Sequence, residues 1–352
     1  MALRFIHVGV GVRGRHWLDI VAQHPDFVSV GCVDSSEEAL KTARGAAGQE
    51  HGNFFRTVEE AVSTVQADAA LVASPTSLHV QHTLATLGAG LAVMVEKPLA
   101  TSLTDAAAVI EAARAASRPV MVAENYRFFP AERTMRQLLA EERTGRISSA
   151  MCIDRRDQPS GTQGAWVKGT DHPFLMEIAV HHFDSFRYLF NRQPASMFAT
   201  SYNPPGSSYD RHAAADALIE LDGGLPIQYA GTMIANRYEY QLWVDGENGE
   251  IWTDRHRVWW RPRGRRFFRP VKLVPVPKGD ELPYPKAGTV SLLNQFRDAI
   301  AGGHVPETSA ADNLWTIAMV EASIRSNREG RRVSIGEVVT PAVRRQAGLP
   351  TN

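Results

Sequence analysis

The sequence predicts an α/β protein with two domains, and three observations point to this class. The 352 residues are enough for two domains of about 100–200 residues each. In the first third, short apolar segments alternate with helical patterns, which is typical of a parallel sheet covered by helices. Farther on, closely spaced strand patterns joined by turn signals predict an open, largely antiparallel sheet. We place the domains at residues 1–123 and 124–352.

The composition excludes several classes of protein. Lys and Arg number 38 and so do Asp and Glu, so the formal net charge is zero and no nucleic-acid partner is expected. The 44% hydrophobic residues exclude a disordered chain. No apolar stretch approaches the roughly 20 residues that span a bilayer, so no membrane partner is expected. Cys32 and Cys152 form no CxxC pair, and no signal peptide is recognisable, so we expect a cytoplasmic protein without a disulfide framework.

Five apolar segments and four helical patterns define the first domain. Since these strand segments are uniformly apolar, both faces of their sheet are expected to be buried. The predicted strands are 3–10, 28–33, 69–73, 92–95 and 119–123, and the predicted helices are 14–24, 58–65, 77–87 and 103–116.

The second domain opens with a helix over 131–142 and contains one apolar helix over 174–190. Its turn signals include Asp222-Gly223-Gly224 and Glu247-Asn248-Gly249. The strand patterns lie at 196–202, 215–221, 227–235 and 240–244, and helices return at 290–301 and 310–328.

A glycine turn follows the first predicted strand. The segment 9–14 reads GVGVRG and matches GxGxxG. Its glycines allow a tight turn, close approach of the backbone to a pyrophosphate, and close packing of helix on strand. The N-terminus of the following helix offers N–H groups and a positive dipole end to phosphates. A purely structural glycine turn is the alternative.

Asp34 lies at the end of the second strand, 20 residues after Gly14. This is the spacing of the acid that holds the adenosine ribose hydroxyls, and its charge would repel a 2′-phosphate. NAD is therefore the predicted cofactor. Ser35 and Ser36 leave NADP open, since hydroxyls can accommodate a phosphate.

Two further strand ends carry polar residues. Ser74-Pro75-Thr76 closes one strand at the edge where ligands bind in such sheets, although a simple turn is the alternative. Glu96 and Lys97 close the next, and Pro98 stops it. A lysine there can donate to a substrate oxygen and stabilise its developing negative charge. A solvated ion pair is the other interpretation.

Taken together, these motifs resemble the glucose–fructose oxidoreductase, inositol dehydrogenase and rhizopine-catabolism protein family, Gfo/Idh/MocA. The resemblance covers most of the chain and rests on the joint order of its motifs. These are GVGVRG, Asp34, SPTSLH at 74–79, EKPL at 96–99, AENYRFFP at 123–130, MEIAVHHFD at 176–184 and PETSAADNLWTIAMVEASIRS at 306–326.

The resemblance implies a Rossmann domain followed by an α/β domain with an open sheet. One face of that sheet carries the substrate site in the family, and the other is often an oligomer contact, so a homodimer or homotetramer is expected. It also implies that Lys97 contacts nicotinamide and substrate, and that Glu96 and residues 125–127 shape the crevice. Family substrates are mostly sugars and cyclic polyols.

The helix over 174–190 is expected to carry the proton-transfer group. Glu177 and His181 stand four apart and Asp184 three further, which places them on one helical face. A histidine can accept the hydroxyl proton while a carboxylate orients its ring. The family's usual residue at position 177 is aspartate, so Glu177 departs from the family pattern by one methylene group. A buried core histidine is the alternative for His181.

Three further residues are candidates for substrate contact. His182 points about 100° away and either packs or meets another substrate oxygen. A metal site from Glu177, His181 and His182 lacks a recognised ligand spacing, so we expect no metal. Trp166 and Arg156 are candidate substrate contacts.

Residues 255–270 hold seven arginines and four aromatic residues without an acid. Such a segment can bind single-stranded nucleic acid. A hairpin with the turn at 262–265, a subunit contact or an anion site are simpler interpretations given the zero net charge.

The sequence thus predicts an NAD-dependent oxidoreductase that acts on a hydroxyl or ketone of a sugar or cyclic polyol. An NADP-linked carbonyl or dihydrodiol-type reductase and a nonenzymatic dinucleotide sensor remain alternatives. The predicted catalytic residues are Lys97, His181 and Glu177. The predicted cofactor-binding residues are Gly9, Gly11, Val12, Arg13, Gly14, Asp34, Ser35, Ser74, Thr76, His79, Glu96, Lys97 and Asn125. The predicted substrate-binding residues are Lys97, Tyr126, Arg127, Arg156, Trp166, Glu177, His181 and His182.

Overall fold

The computed structural model describes residues 2–45, 52–160 and 165–350. Its internal contacts divide the chain into two compact units. The first consists of Met1–Glu124, Leu282–Ile317 and Pro341–Asn352, and the second of Asn125–Glu281 and Ala318–Thr340. The division into domains at residue 123 stays a prediction.

A parallel sheet forms the centre of the first unit. Among the described residues it has six strands in the order β3-β2-β1-β4-β5-β6, and every pairing is parallel. The order reverses between β1 and β4, and ligands bind at the carboxyl ends beside such a reversal. The strands are β1 (Leu3–Val8), β2 (Phe27–Val33), β3 (Asn53–Phe55), β4 (Ala69–Val72), β5 (Ala92–Val95) and β6 (Val120–Val122).

The helices of this sheet connect its strands. Thr57 begins α3 with a capping box, and the Ser102 hydroxyl caps α5 by accepting from Asp105 N at 3.1 Å. β4, β5 and β6 are buried along their whole length, as their apolar sequences predict. The helices are α1 (Val12–Ala22), α2 (Glu37–Arg44), α3 (Val58–Thr64), α4 (His79–Gly88) and α5 (Leu103–Ala116).

The second unit contains a mixed sheet. Its described strands follow the order β14-β13-β12-β11-β7-β10-β9-β8-β15, in which β7 and β10 are parallel and the other neighbours antiparallel. The predicted α/β class with a largely antiparallel second sheet is confirmed. The strands are β7 (Ile147–Asp157), β8 (Pro194–Tyr202), β9 (Ala214–Leu221), β10 (Leu225–Thr232), β11 (Ile234–Gly246), β12 (Gly249–Thr253), β13 (Val258–Pro262), β14 (Arg269–Val271) and β15 (Val333–Ser334).

Helices α6 (Pro130–Ala140) and α7 (Val180–Phe190) belong to the second unit. The prediction of one continuous α-helix over 174–190 is wrong in its first part, because Leu175–Ala179 form a π-helix. A run of apolar residues does not distinguish i+4 from i+5 hydrogen bonding, so the sequence gives no signal for this change.

Four more helices follow in the C-terminal part of the chain: α8 (Thr289–Gly302), α9 (Ala310–Glu329), α10 (Ile335–Val338) and α11 (Pro341–Ala347). Within the described ranges, no helix combines the length and the apolarity needed to span a membrane.

Candidate active-site residues

The glycine loop has the geometry that its motif predicts. Gly9 has a φ of +86°, and a Cβ there would lie 2.4 Å from Ser74 N. A Cβ on Gly14 would lie 2.0 Å from the Gly9 carbonyl oxygen. Among the described residues, no atom outside the adjoining backbone lies within 4 Å of the corresponding point on Gly11, which precedes α1. Gly9 and Gly14 therefore serve close packing, while Gly11 leaves open space for a ligand at the helix N-terminus. Val12, the first residue of α1, is half exposed.

Asp34 follows β2 and is tied to this loop. Its Oδ2 accepts from Val10 N and its Oδ1 from Ser36 N, each at 2.9 Å. A carboxylate has about four acceptor positions, so two of them stay available for hydroxyl donors. Ser35 is exposed, whereas the Ser36 hydroxyl caps α2 by accepting from Ala39 N. Asp34 can thus hold ribose hydroxyls, and Ser36 is already used as a cap.

Ser74, Thr76 and His79 surround the end of β4. Thr76 is buried, and the Ser74 hydroxyl lies 2.9 Å from His82 Nδ1. Both ring nitrogens of His79 lie 2.8 Å from carbonyl oxygens, Nδ1 from that of Pro98 and Nε2 from that of Ser74. His79 therefore links the loop after β4 to the residue that follows Lys97.

Glu96 is a buried carboxylate at the end of β5. It accepts from Arg13 Nε at 2.5 Å and from Trp17 Nε1 at 2.7 Å, and the backbone N of Lys97 lies 3.2 Å from its other oxygen. Burial alone would raise the pKa of Glu96, but Arg13, Trp17 and Lys97 outweigh it and lower the pKa to about 2. Arg13 also donates to the Pro285 carbonyl. Arg13 thus holds structure around the half-buried Lys97.

In the second unit, His181 lies in the first turn of α7 and is buried. Its ring stacks on Tyr126, with the centroids 4.1 Å apart and the planes 12° from parallel. Tyr126 begins a short 3-10 helix, Tyr126–Phe128, that follows the buried Asn125. The structure therefore brings together two predicted residues that lie 55 positions apart in the sequence.

Glu177 is buried in the π-helix, one turn before His181. Asp184 forms a buried bidentate ion pair with Arg127, in which both hydrogen bonds measure 2.6 Å. This pair anchors α7 to the segment that carries Tyr126, and it gives Arg127 a structural partner.

His182 is fully buried in a second network. Its Nδ1 lies 2.8 Å from the Tyr229 hydroxyl and its Nε2 lies 3.1 Å from Asp154 Oδ2. Burial lowers the pKa of His182 to about 3, so the ring is neutral at pH 7. Arg156 donates to Asp154 at 2.9 Å and to the Tyr126 hydroxyl at 3.0 Å. Although burial opposes it, interactions with His182, Arg156 and Arg255 lower the pKa of Asp154. His182 is therefore packed inside the second unit, and Arg156 holds the Tyr126 hydroxyl through a hydrogen bond. Trp166 is 41% exposed and stands apart from this network.

Comparisons with known proteins identify the family. Residues 3–124 match the model of the oxidoreductase family with an NAD-binding Rossmann fold, and residues 133–252 match the GFO/IDH/MocA C-terminal domain. The chain belongs to the Gfo/Idh/MocA oxidoreductase family. It is thus an oxidoreductase with an NAD-binding Rossmann domain, as its motifs predict.

Relatives of this Gfo/Idh/MocA chain carry dehydrogenase and reductase names. It is 27% identical to 1,5-anhydro-D-fructose reductase of Ensifer adhaerens over 93% of this chain and 97% of that one. It is 24% identical to inositol 2-dehydrogenase of Rhizobium meliloti over 95% and 100% of the two chains. An oxidoreductase from Agrobacterium radiobacter, solved with NAD+, L-tartaric acid and magnesium, shares the fold at a TM-score of 0.85, with 18% identity over 96% and 99%.

Several residues around the stacked pair were not predicted from the sequence. Arg255, Tyr240 and Glu132 are all buried beside Tyr126 or its neighbours. The only sequence signal was the arginine-rich segment 255–270, which does not show that its first arginine is buried. The predicted hairpin itself is confirmed by the antiparallel pair β13 and β14.

Within the described ranges, one His and carboxylate cluster has the spacing of metal ligands. Asp171, His172 and His212 offer atoms within 4.8 Å of one another. Arg211 donates to Asp171 Oδ1 at 2.9 Å, so this carboxylate already has a cationic partner. This cluster differs from the Glu177, His181 and His182 set considered from the sequence.

Proposed function

We propose that this family member is an NAD-dependent dehydrogenase that transfers hydride between nicotinamide and a secondary hydroxyl, or the corresponding ketone, of a sugar or cyclic polyol. The observation that carries the proposal is the glycine loop joined to Asp34, next to the Glu96 and Lys97 pair. The names of the relatives, an anhydrofructose reductase and an inositol dehydrogenase, support this substrate class.

The residues at the carboxyl ends of the first sheet suit NAD. Gly11 leaves space at the N-terminus of α1, where free N–H groups can bind the pyrophosphate. The Asp34 carboxylate accepts from ribose hydroxyls and repels a 2′-phosphate. When bound, NAD supplies the hydride acceptor for alcohol oxidation, and NADH supplies the hydride for the reverse reaction.

We assign two chemical roles. The Lys97 ammonium donates to the reacting oxygen of the substrate and stabilises negative charge on it. The imidazole of His181 accepts the hydroxyl proton during oxidation and returns it during reduction. Glu177 is the carboxylate proposed to orient the His181 ring.

The remaining candidate substrate-binding residues fall into two groups, according to their exposure and their hydrogen-bond or ion-pair partners. Trp166 is exposed enough to contact a sugar ring, and Tyr126 presents its ring to His181. Arg127 and His182 are held in buried networks, so we propose that they support the substrate-binding face rather than touch substrate. Arg156 acts through its hydrogen bond to Tyr126.

A panel assay tests the proposal. The purified protein is incubated with NAD+ and cyclic polyols or aldoses, and with NADH and their ketones, while NADH absorbance is followed. For an active substrate, Lys97→Met is expected to lower kcat by roughly 100-fold or more while the Kd for NADH changes little. The exposed Lys272→Met is the control. Unchanged turnover in Lys97→Met would contradict the assignment.

We further propose that the protein is a cytoplasmic homo-oligomer. The second sheet exposes Met151, Phe198 and Leu218 on one face, and large apolar residues on a surface favour subunit contacts. Cys32 and Cys152 belong to different units and are buried, which supports a reducing compartment.

A further inference from the structure

Arg255 differs from the other arginines of the 255–270 segment. The other six are half-buried or exposed, whereas Arg255 is only 7% exposed. It follows β12 with a φ of 75°, in the left-handed region that non-glycine residues rarely adopt. Its backbone N donates to Thr253 Oγ1 at 2.9 Å, which holds the turn that directs the side chain inward. This cation is therefore placed inside the second unit by the local backbone.

Two aromatic rings and one carboxylate surround the guanidinium. Its Cζ lies 4.2 Å from the Tyr126 ring centroid and 3.7 Å from that of Tyr240, which are cation–π distances. Its Nε lies 3.6 Å from Glu132 Oε1. Burial raises the pKa of Glu132 to about 7, so this carboxyl is only partly ionised at neutral pH. A buried and incompletely paired cation is costly, which favours a role beyond packing.

Tyr126 connects this cation to His181. The same ring that contacts Arg255 stacks on His181 at 4.1 Å, and its hydroxyl accepts from Arg156 Nη2 at 3.0 Å. Rotation of an imidazole about χ2 is broad when nothing restricts it. Tyr126 is held by its contacts with Arg255 and Arg156. Its flat ring therefore limits the rotation of the His181 imidazole and fixes the plane of that ring.

We propose that Arg255 is a positioning residue, which fixes the plane of Tyr126 and through it the plane of the His181 ring. The catalytic meaning of this stack rests on the proposed function of His181. The stack itself can be tested without turnover.

The test uses NMR of the full-length protein labelled at the histidine ring carbons. Stacking on Tyr126 shields the ring protons of His181, whose resonance is identified by its loss in His181→Asn. We expect Arg255→Met to move this resonance downfield or broaden it, and the exposed Arg265→Met to leave it unchanged. Arg255→Lys keeps the charge without the planar face, so we expect it to restore folding but only part of the shielding.

A second variant guards against loss of folding. Arg255→Met combined with Glu132→Gln removes the buried cation together with the carboxyl beside it, so that neither ionisable group is left without the other. Shielding of His181 that equals wild type in this double variant would overturn the proposal.

Kinetics complete the test once a substrate is known. We expect the double variant to lower kcat about tenfold with little change in KM for NAD+ or in the Kd for NADH. A displaced resonance with wild-type kcat would also overturn the positioning role. If wild type turns over no substrate but the resonance still depends on Arg255, the proposed function fails while the stack is confirmed.

Discussion

Asp34 combines a structural and a binding task in one side chain. It accepts hydrogen bonds from Val10 N and Ser36 N, and so fixes the glycine loop relative to the start of α2. The same carboxylate retains acceptor positions for ribose hydroxyls. Its replacement should therefore affect cofactor affinity and, more weakly, stability.

We expect Asp34→Ala to raise the Kd for NADH by about tenfold or more, because hydrogen bonds to a charged acceptor are lost. The Kd for NADPH should rise less or fall, since repulsion of the 2′-phosphate is also lost. Fluorescence titration with both cofactors measures this, with the exposed Asp298→Asn as control. An equal loss of affinity for both cofactors would show that Asp34 serves the loop alone.

The buried carboxylate of Glu96 should make the free energy of unfolding depend on pH. Its pKa of about 2 in the folded protein lies below the ordinary value of 4.5, so its ionised form stabilises the fold. This contribution of roughly 3 kcal/mol is complete well above pH 4.5 and is lost as the pH falls through 4.5 towards 2. Urea unfolding should therefore show Glu96→Gln destabilised at pH 7 and closer to wild type at pH 3.

The exposed Glu38→Gln serves as the matched control and should track wild type at both values. A difference between Glu96→Gln and wild type that is the same at pH 7 and pH 3 would exclude Glu96 as the source of the effect.

Some site residues could be placed from the sequence alone, and others could not. The glycine loop and Asp34 lie within 26 positions and depend on local strand-turn-helix geometry, so their arrangement could be predicted. Arg255 meets Tyr126 only after folding. No local pattern encodes that contact.

At the level of elements, β10 and the helical segment that carries Glu177 and His181 are fitted closely together. A Cβ on Gly231 would lie 2.1 Å from Phe174 Cζ. Phe174 is fully buried and cannot move aside easily. The absence of a side chain at Gly231 thus sets how near the π-helix lies to the sheet.

We expect Gly231→Ala to destabilise the protein by about 1–3 kcal/mol, the usual cost of overpacking, and to lower kcat. Gly231→Ala with Phe174→Leu should recover part of the stability because it makes room. Gly88→Ala is the control, because a Cβ at Gly88 would meet no atom of the described residues within 4 Å outside the adjoining helix backbone. Thermal unfolding gives the comparison, and a neutral Gly231→Ala would show that this packing is loose.

Strands whose residues are all buried could be predicted from the sequence. The apolar strands β4, β5 and β6 were predicted, but α2 and the three-residue β3 were not. α2 is mostly polar and buries only Leu40 and Ala43, although its Ser36 cap was a usable signal. β11 is longer than the predicted strand over 240–244. Ile234 pairs with Asp157 of β7, and pairing resumes at Glu239 after an irregularity in register, so this part of β11 has no regular apolar alternation.

At the scale of the whole molecule, the second sheet presents a continuous row of side chains. Adjacent partners run from Phe198 to Leu218, Gln228, Met151 and Trp243 across five strands. Such a row on one face of an open sheet provides an extended apolar surface. It is the surface that we propose for the oligomer contact.

We expect wild type to have at least twice the mass of one chain in solution. Phe198→Glu with Leu218→Glu should give the mass of a single chain, since it places buried charges in the contact. Light scattering after size exclusion measures both, and Val305→Glu, at an 81% exposed valine, is the control. A wild-type monomer, or an unchanged mass in the double variant, would contradict this surface.

The proposed dehydrogenase activity depends on NAD binding by the first unit. A paired titration of the purified wild-type protein with NADH and NADPH, followed by nicotinamide fluorescence, tests it most directly. We predict saturable binding of NADH, at least tenfold tighter than that of NADPH, because Asp34 accepts ribose hydroxyls and repels a 2′-phosphate. Tighter binding of NADPH, or binding of neither, would contradict the account.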